Sequence, residues 1–201
     1  MTPFLVTPRL MLRDFTADDL ELLVELDSDP EVMRFISGGM PTPRQVLEEE
    51  HLPAWIAMNA TSPGYGFWAA HDRSSGDFLG WFHLRPEPAP GRDPELGYRF
   101  HRAAWGRGLA TEGSLALLAH AFADPRVGRV FAETLTVNRR SRAVMERIGM
   151  RHVRTFHGDW PIRIPGDEHG DVEYAVTREE WAARPSTAPS PVPRPSPASQ
   201  P

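Results

Sequence analysis

The chain has 201 residues, a formal net charge of −5 and no cysteine. That length suits one domain with a sizeable core, and the missing cysteines exclude a disulfide framework, a thiolate zinc site and a cysteine nucleophile. The acid excess argues against a nucleic-acid partner, which calls for a basic stripe, and it mildly favours cationic small molecules or peptides.

The opening MTPFLVTPRLMLRDF has no long apolar stretch of the signal-peptide kind. No run reaches the roughly 18 apolar residues of a membrane span, so a cytoplasmic protein without a membrane partner is expected. Within that opening, Leu10 and Leu12 alternate with Met11 and Arg13, which predicts a strand. TADDLELLVEL follows as a helix, with Thr16 as its cap, acids in its first turn and Leu20, Leu23 and Val24 at helical spacing. Asp29-Pro30 is expected to end it. A second helix is expected within TPRQVLEEEHLPAWIAMNA, with Thr42-Pro43 as its start, Pro53 as a kink or break, and Glu48 to Glu50 as a solvated face.

YGFWAAHD and FLGWFHLRP read as a strand pair joined through RSSGD. A further strand near PELGYRFH enters the loop AAWGRGLATEG. TEGSLALLAHAFAD then reads as a helix whose buried face carries Leu115, Leu118, Ala121 and Phe122. RVFAETLTV is a strand, and NRRSRAVMERIGM is a short helix stopped at Gly149. Strands near RHVRTFHG and DVEYAVT and a last short helix at REEWAA complete the list. The expected organisation is one mixed α/β domain over 1–183. The run from Arg184 to Pro201, almost all proline, serine and alanine, is expected to be a disordered tail. The unit from Glu95 to Val137 reads as strand, helix, parallel strand with a right-handed crossover.

The glycine-rich loop is the chain's most pointed feature. A strand feeding a helix through small residues presents unpaired N–H groups beside the positive end of the helix dipole, and phosphate fits there. Arg107 adds a cation at the rim. A nucleotide P-loop is excluded, since no Gly-Lys-Ser/Thr is present. A dinucleotide fingerprint fails because Thr111 follows Gly106 and Gly108 where a third glycine is needed. The diphosphate of coenzyme A and a plain glycine turn remain.

Three segments decide between these. TPRLMLRDFTADDL, ELGYRFHRAAWGRGLATEG and AETLTVNRRSRAVMERIGM, in this order and at these separations, resemble the GCN5-related N-acetyltransferase superfamily. The resemblance covers roughly Thr7 to Trp181. It is nearest to the RimJ/RimL-type branch that acetylates ribosomal-protein N-termini, and to that branch's many relatives of unknown substrate. The family's loop pattern is Arg or Gln, two residues, Gly, one residue, then Gly or Ala. Gly108 and Ala110 match it, while Trp105 stands at the Arg/Gln position. The resemblance implies a mostly antiparallel, twisted sheet of about six to seven strands with a central parallel pair that splays, flanked by about four helices. It implies acetyl-CoA as cosubstrate, no metal, and a monomer or homodimer. The pyrophosphate would lie on the amides of Arg107, Gly108, Leu109, Ala110 and Thr111, and the pantetheine along the strand ending at Phe100 and His101. Asn138 and Ser141 match the family's cofactor-side asparagine and serine. Asn138 also reads as a simple helix cap, and Ser141 as a surface hydroxyl.

Acyl transfer to an amine requires removal of a proton from an ammonium. Two carboxylates are candidate bases. Glu133 shares a face with Phe131, Leu135 and Val137, and apolar neighbours raise a carboxyl pKa. Glu95 opens the strand that leads to the loop. Either is equally readable as an exposed or ion-paired acid, and His101 is a third possible base. The family's usual thiolate-protonating tyrosine is replaced by Met145, a core-packing residue, which leaves Ser141 or water as donor. The acceptor side is expected to comprise the first two helices and FHGDWPIRIPGDEHGD, where Trp160 with Asp167, Glu168 and Asp171 offers a place for a cationic amine. Peptide N-termini, polyamines, antibiotic amines and amino acids stay open as acceptors. Two rivals stand beside the transferase: a non-catalytic acyl-CoA-binding module, and a protein-interaction domain with its proline-rich tail as ligand.

Overall fold

Leu10 and Leu12 are wholly buried, while their neighbours Met11 and Arg13 are only partly so, and Leu10–Asp14 forms strand β2. The computed structural model describes residues 3–86, 93–158 and 163–184. In it β2 lies between a short β1 (Leu5–Val6) and β3 (Gly66–Asp72). The remaining strands are β4 (Phe78–Arg85), β5 (Glu95–Phe100), β6 (Arg129–Leu135), β7 (Arg151–Phe156) and β8 (Asp171–Thr177). They form one eight-stranded sheet in the order β1-β2-β3-β4-β5-β6-β8-β7. Every neighbouring pair is antiparallel except β5 and β6. The sheet has one or two strands more than the sequence suggested, because the opening segment folds back as β1 and β2 through a turn at Thr7–Leu10.

The first helix starts as expected. Thr16 and Asp19 close a reciprocal cap, with the Thr16 N–H donating to Asp19 Oδ2 at 2.8 Å, and α1 runs over Leu20–Ser28. It ends at Asp29, but a new helix begins at once. Asp29 accepts from the Glu31 N–H at 2.9 Å, Pro30 occupies the first turn, and α2 spans Pro30–Ser37. Proline loses nothing at that position, so Asp-Pro is a start here as well as a stop. The next helix is not broken at Pro53. A short α3 (Arg44–Val46) passes through a π-helical turn at Leu47–His51 into α4 (Leu52–Thr61). The Leu52 N–H bonds to the Leu47 carbonyl, and Pro53, which has no N–H to give, sits in the first turn of α4. α5 (Leu109–Ala123), α6 (Arg139–Arg147) and α7 (Arg178–Ala182) complete the helices, more than the four expected. Gly149, at φ +91°, takes the left-handed position after α6.

Two apolar layers sandwich the sheet. One contains Leu10, Leu12, Phe82, Leu84, Leu117 and Leu118 and is roofed by α5. The other contains Phe15, Leu23, Leu26, Leu52, Phe67 and Trp81 and is roofed by α1 and α4. The buried face of α5 is centred on Ser114, Leu117, Leu118 and Ala121; Leu115 lies at its flank, only partly buried. Gly113 is what lets α5 approach the sheet. A Cβ there would stand 2.2 Å from Cζ of Phe82, a wholly buried ring.

Alanine normally stabilises a helix interior by about 0.5–1 kcal/mol over glycine. At this position overpacking should win. Gly113→Ala is expected to lose about 1–3 kcal/mol in urea unfolding, and a variant as stable as the parent would contradict the packing described.

Candidate functional site

The loop between β5 and α5 is built around two glycines with positive φ, Gly106 at +72° and Gly108 at +75°. Gly108 is the residue from which α5 departs, and no side chain caps the helix start. The helix begins at Leu109, two residues before the expected Thr111, so the free first-turn amides belong to Leu109, Ala110 and Thr111. Leu109 turns its side chain into the core and contributes only backbone. The loop is clamped from three sides. The Trp105 indole donates to the Phe100 carbonyl at 2.8 Å, and the Arg140 guanidinium lies 4.9 Å from that indole. Arg9 donates to the Arg107 carbonyl at 2.8 Å and to Glu112 Oε2 at 2.6 Å. Thr7 Oγ1 donates to Glu112 Oε1 at 2.6 Å. Trp105 thus holds the loop's shape by its own hydrogen bond.

Beyond this loop lies a wedge. β5 and β6 meet at one register pair, Glu95 with Phe131, where the Phe131 N–H donates to the Pro94 carbonyl at 3.1 Å. No further pair joins them, so the strands diverge toward the loop end. Pleat alternation divides their side chains between two faces. Leu96, Tyr98 and Phe100 of β5 join the layer under α5. Glu95, Gly97 and Arg99 point the other way, toward α1.

On that second face the titratable groups gather. Cross-strand register sets His83 of β4 beside Gly97 of β5 and Arg85 beside Glu95, and Glu133 stands two residues beyond Phe131 on β6. Burial, then the charges of Glu95 and Glu173, push the Glu133 carboxyl up to about 7, with Arg154 at 3.7 Å pulling back. Asp171 adds to the rise. Glu95 is held by Arg85, whose Nε donates at 2.7 Å. Burial works to raise Glu173, but Arg154 and Arg129 outweigh it and its pKa falls. The His83 ring is packed edge-on to Phe67, with centroids 4.9 Å apart. Its Nε2 lies 3.8 Å from Glu95 Oε1, and neither ring nitrogen has a hydrogen-bond partner. Burial, then the charges of Arg85 and Arg99, drive its pKa down to about 3, so the imidazole is neutral.

On the α5 face, the Tyr98 hydroxyl donates to Ser141 Oγ at 3.4 Å. Burial pushes this phenol up to about 12, the Ser141 contact working the other way. Asn138 caps α6, accepting from the Ser141 N–H at 3.3 Å while its Nδ2 donates to Thr134 at 3.0 Å. Both ends of that amide are therefore used within the chain. Met145 is buried in the core. His101 sits at the end of β5 opposite Glu95, its ring edge-on to Phe78, and its N–H donates to the Leu79 carbonyl at 2.9 Å.

The wedge thus brings together Glu95, Glu133 and Asp171, and it unites Asn138 with Ser141. Asp167 and Glu168 stay apart: Asp167 clamps its own turn through Arg163 and the Ile164 N–H, and Glu168 Oε2 accepts from the Gly166 N–H at 2.9 Å. Trp160 lies outside the described residues, as does the run after Arg184; Arg184 itself donates to the Ile148 carbonyl at 2.9 Å. Sequence reasoning passed over His83, Tyr98 and the buried pair Arg99–Asp27 (2.5 Å), which ties β5 to α1. Only strand alternation marked them, and alternation says nothing of partners across strands.

Residues 9–151 match the family described as the acetyltransferase (GNAT) domain. An FsC-acetyl coenzyme A-N(2)-transacetylase of Aspergillus fumigatus is 37% identical over 187 residues, covering 89% of this chain and 78% of that protein. Two solved structures have the same fold. A GNAT-family acetyltransferase from Bacillus anthracis superposes with a TM-score of 0.71 at 23% identity, covering 87% of this chain and 98% of its own. A ribosomal L7/L12 α-N-protein acetyltransferase, RimL, in complex with coenzyme A, gives 0.72 at 18% identity, covering 88% and 98%.

The raised Glu133 pKa has a stability consequence with a definite sign. The folded state holds this proton more tightly than the unfolded chain does. The contribution is therefore complete below about 4.5 and lost as pH rises through about 7, where the half-buried carboxylate ionises beside Glu95 and Glu173. Glu133→Gln is expected to melt higher than the parent at pH 8, with the difference vanishing near pH 4.5. Equal melting temperatures at both pH values would refute the shift.

Proposed function

This chain belongs to the GNAT acetyltransferase family, and from that premise we propose that it moves an acetyl group from acetyl-CoA to a primary amine by direct attack in a ternary complex. The observation that carries this reading is the wedge between β5 and β6, with uncapped helix amides at its mouth and a carboxyl of pKa about 7 on its wall.

The pyrophosphate rests on the amides from Arg107 to Thr111, where helix dipole and bare backbone favour an anion. The pantetheine pairs along the free edge of β5 from Phe100 and His101, which brings the thioester into the wedge. The amine arrives from the opposite face. Glu133 takes its proton, directly or through water, and Glu95 beside it keeps the site attractive to the cationic form. The nitrogen lone pair attacks the acetyl carbon, the C–N bond forms, and a β5 backbone N–H receives the charge on oxygen. The C–S bond then breaks. As the amide forms, its nitrogen sheds its second proton through water to Ser141 Oγ, and Ser141, which receives a hydrogen bond from Tyr98, passes its own proton to the thiolate, a role that Met145 cannot fill. The Aspergillus relative's name joins acetyl coenzyme A to an N2 position, which supports a nitrogen acceptor here. Glu95, Glu133, Asp171 and Glu173 outnumber by one the guanidiniums of Arg85, Arg129 and Arg154 set against them, and this small acid excess supports an acceptor that is cationic in solution.

Thiol release from acetyl-CoA, measured with spermidine, ornithine, lysine methyl ester and an alanyl peptide, tests the reading. Release that depends on added amine is expected. Binding of acetyl-CoA without such release would replace the transferase by a non-catalytic acyl-CoA module. Gly108→Val forces a β-branched residue to φ +75° and should weaken acetyl-CoA binding at least about a hundredfold in calorimetry. Because Glu133 must be ionised to act, kcat/KM should rise with pH through a limb near 7 that reports this group in the free protein. Glu133→Gln should lower kcat by about 10²–10⁴ and lose that limb; an unchanged limb would assign it to another group.

A further inference from the structure

His83 is nine-tenths buried, yet both its ring nitrogens lack a hydrogen-bond partner. A neutral imidazole carries one donor and one acceptor, and leaving both unmet in a protein interior is costly. Its direction is fixed by Gly97. A Cβ on that residue would stand 2.5 Å from His83 Cε1 and 2.5 Å from Nε2, so the Nε2–Cε1 edge of the ring is seated over the bare backbone of Gly97 in β5, the strand that separates it from β6. Glu133 lies on the same sheet face as Gly97 across the wedge, because Glu95 pairs with Phe131 and each is two residues further along its strand. His83 and Glu133 thus flank the same opening, with Glu95 3.8 Å from His83 Nε2. Apolar rings close the other side: Phe67 meets His83 edge-on, and Trp81 lies 5.7 Å away.

We propose that His83 is part of the acceptor subsite, its unpaired ring nitrogen holding the primary amine over Gly97 in line with the thioester. The assignment rests on the transferase reading above. An ammonium entering the acidic wedge loses one proton to the carboxylates. The neutral amine then has two N–H bonds and one lone pair. One N–H donates to the imidazole, which turns the lone pair toward the acetyl carbon. An amine at this place also satisfies the orphaned ring nitrogen, so its binding repairs a defect of the free protein. A tertiary amine has no N–H to give the imidazole and cannot make this contact. The ring stays neutral throughout, held so by its burial and by Arg85 and Arg99. It therefore binds and orients, while proton removal stays with the carboxylates.

The test uses the full-length protein with spermidine, ornithine, lysine methyl ester and the alanyl peptide. His83→Phe keeps a ring in the same aromatic surroundings, and His83→Gln restores a hydrogen-bonding end. For the best acceptor of the four, His83→Phe should raise the amine KM at least tenfold while acetyl-CoA affinity stays within twofold of the parent. His83→Gln should recover part of that loss. In the parent protein labelled with ¹³C-histidine and loaded with CoA, the His83 Cε1 resonance should move on titration with the same amine. An unchanged amine KM in His83→Phe, or a Cε1 resonance that stays still at saturating amine, would overturn the assignment. If the parent releases no thiol with any of the four amines, the transferase reading falls, and this one with it.

Discussion

Strands β5 and β6 share one register pair and then part, and the rest of the site follows from that divergence. A sheet interior normally hides its backbone groups in ladder bonds on both edges of each strand. Beyond Glu95 the facing edges of β5 and β6 have no partner in each other. Five strands lie on one side of the gap and three on the other, and helices cover both faces, so it is held open by the whole sheet. It is a slot lined by backbone donors and acceptors, suited to an extended, amide-bearing arm.

The same pleat that makes the slot also sorts the chemistry. Odd-numbered residues of β5 face α1 and even-numbered ones face α5. Glu95 and Gly97 therefore meet His83 and Glu133, while Tyr98 meets Ser141. Under the proposed mechanism, the groups that would handle an amine's proton lie on one side, and the hydroxyls that would serve a departing thiolate lie on the other. This separation has an electrostatic use. Burial and clustered carboxylates raise Glu133 to about 7, while the phenol on the opposite face, pushed up to about 12, keeps its proton. A carboxyl and a phenol of such different character coexist because the sheet keeps them apart.

Much of this was legible in the sequence, and what was not has a common cause. The loop glycines, the stop at Gly149, the Thr16 cap and the apolar neighbours of Glu133 are local patterns, and each is realised in the fold. Asp29-Pro30 ends the first helix as expected, but the start of α2 at the same step went unread, because proline suits the first turn of a helix as well as the position after one. Leu115 misled because the burial centre of α5 depends on where the sheet lies, not on spacing alone. His83 and Tyr98 were invisible for a deeper reason. A histidine alternating with Trp81 and Arg85 is indistinguishable from an ordinary strand residue until register sets it beside a glycine. That register is fixed by pairing between strands 14 residues apart at this point, and no local pattern encodes it.

The site is also stiffened by charges that arrive from far along the chain. Asp27 of α1, almost wholly buried, accepts from Arg99 of β5 at 2.5 Å and from Thr42 at 2.6 Å. Arg102, just past β5, reaches Asp29 at 2.8 Å. At the other end Glu112 joins α5 to the β1–β2 turn through Thr7 and Arg9. Burying such pairs gains little net stability against apolar alternatives, since desolvation offsets most of the attraction. Their directionality is what apolar contacts lack. A layer of leucines would let α1 slide over the sheet by a fraction of a residue at little cost. A carboxylate accepting from a guanidinium and a hydroxyl together would not. The proposed acceptor face lies between α1 and β5, so its shape is set by these bonds, and the glycine loop is held at its distance from the wedge in the same way.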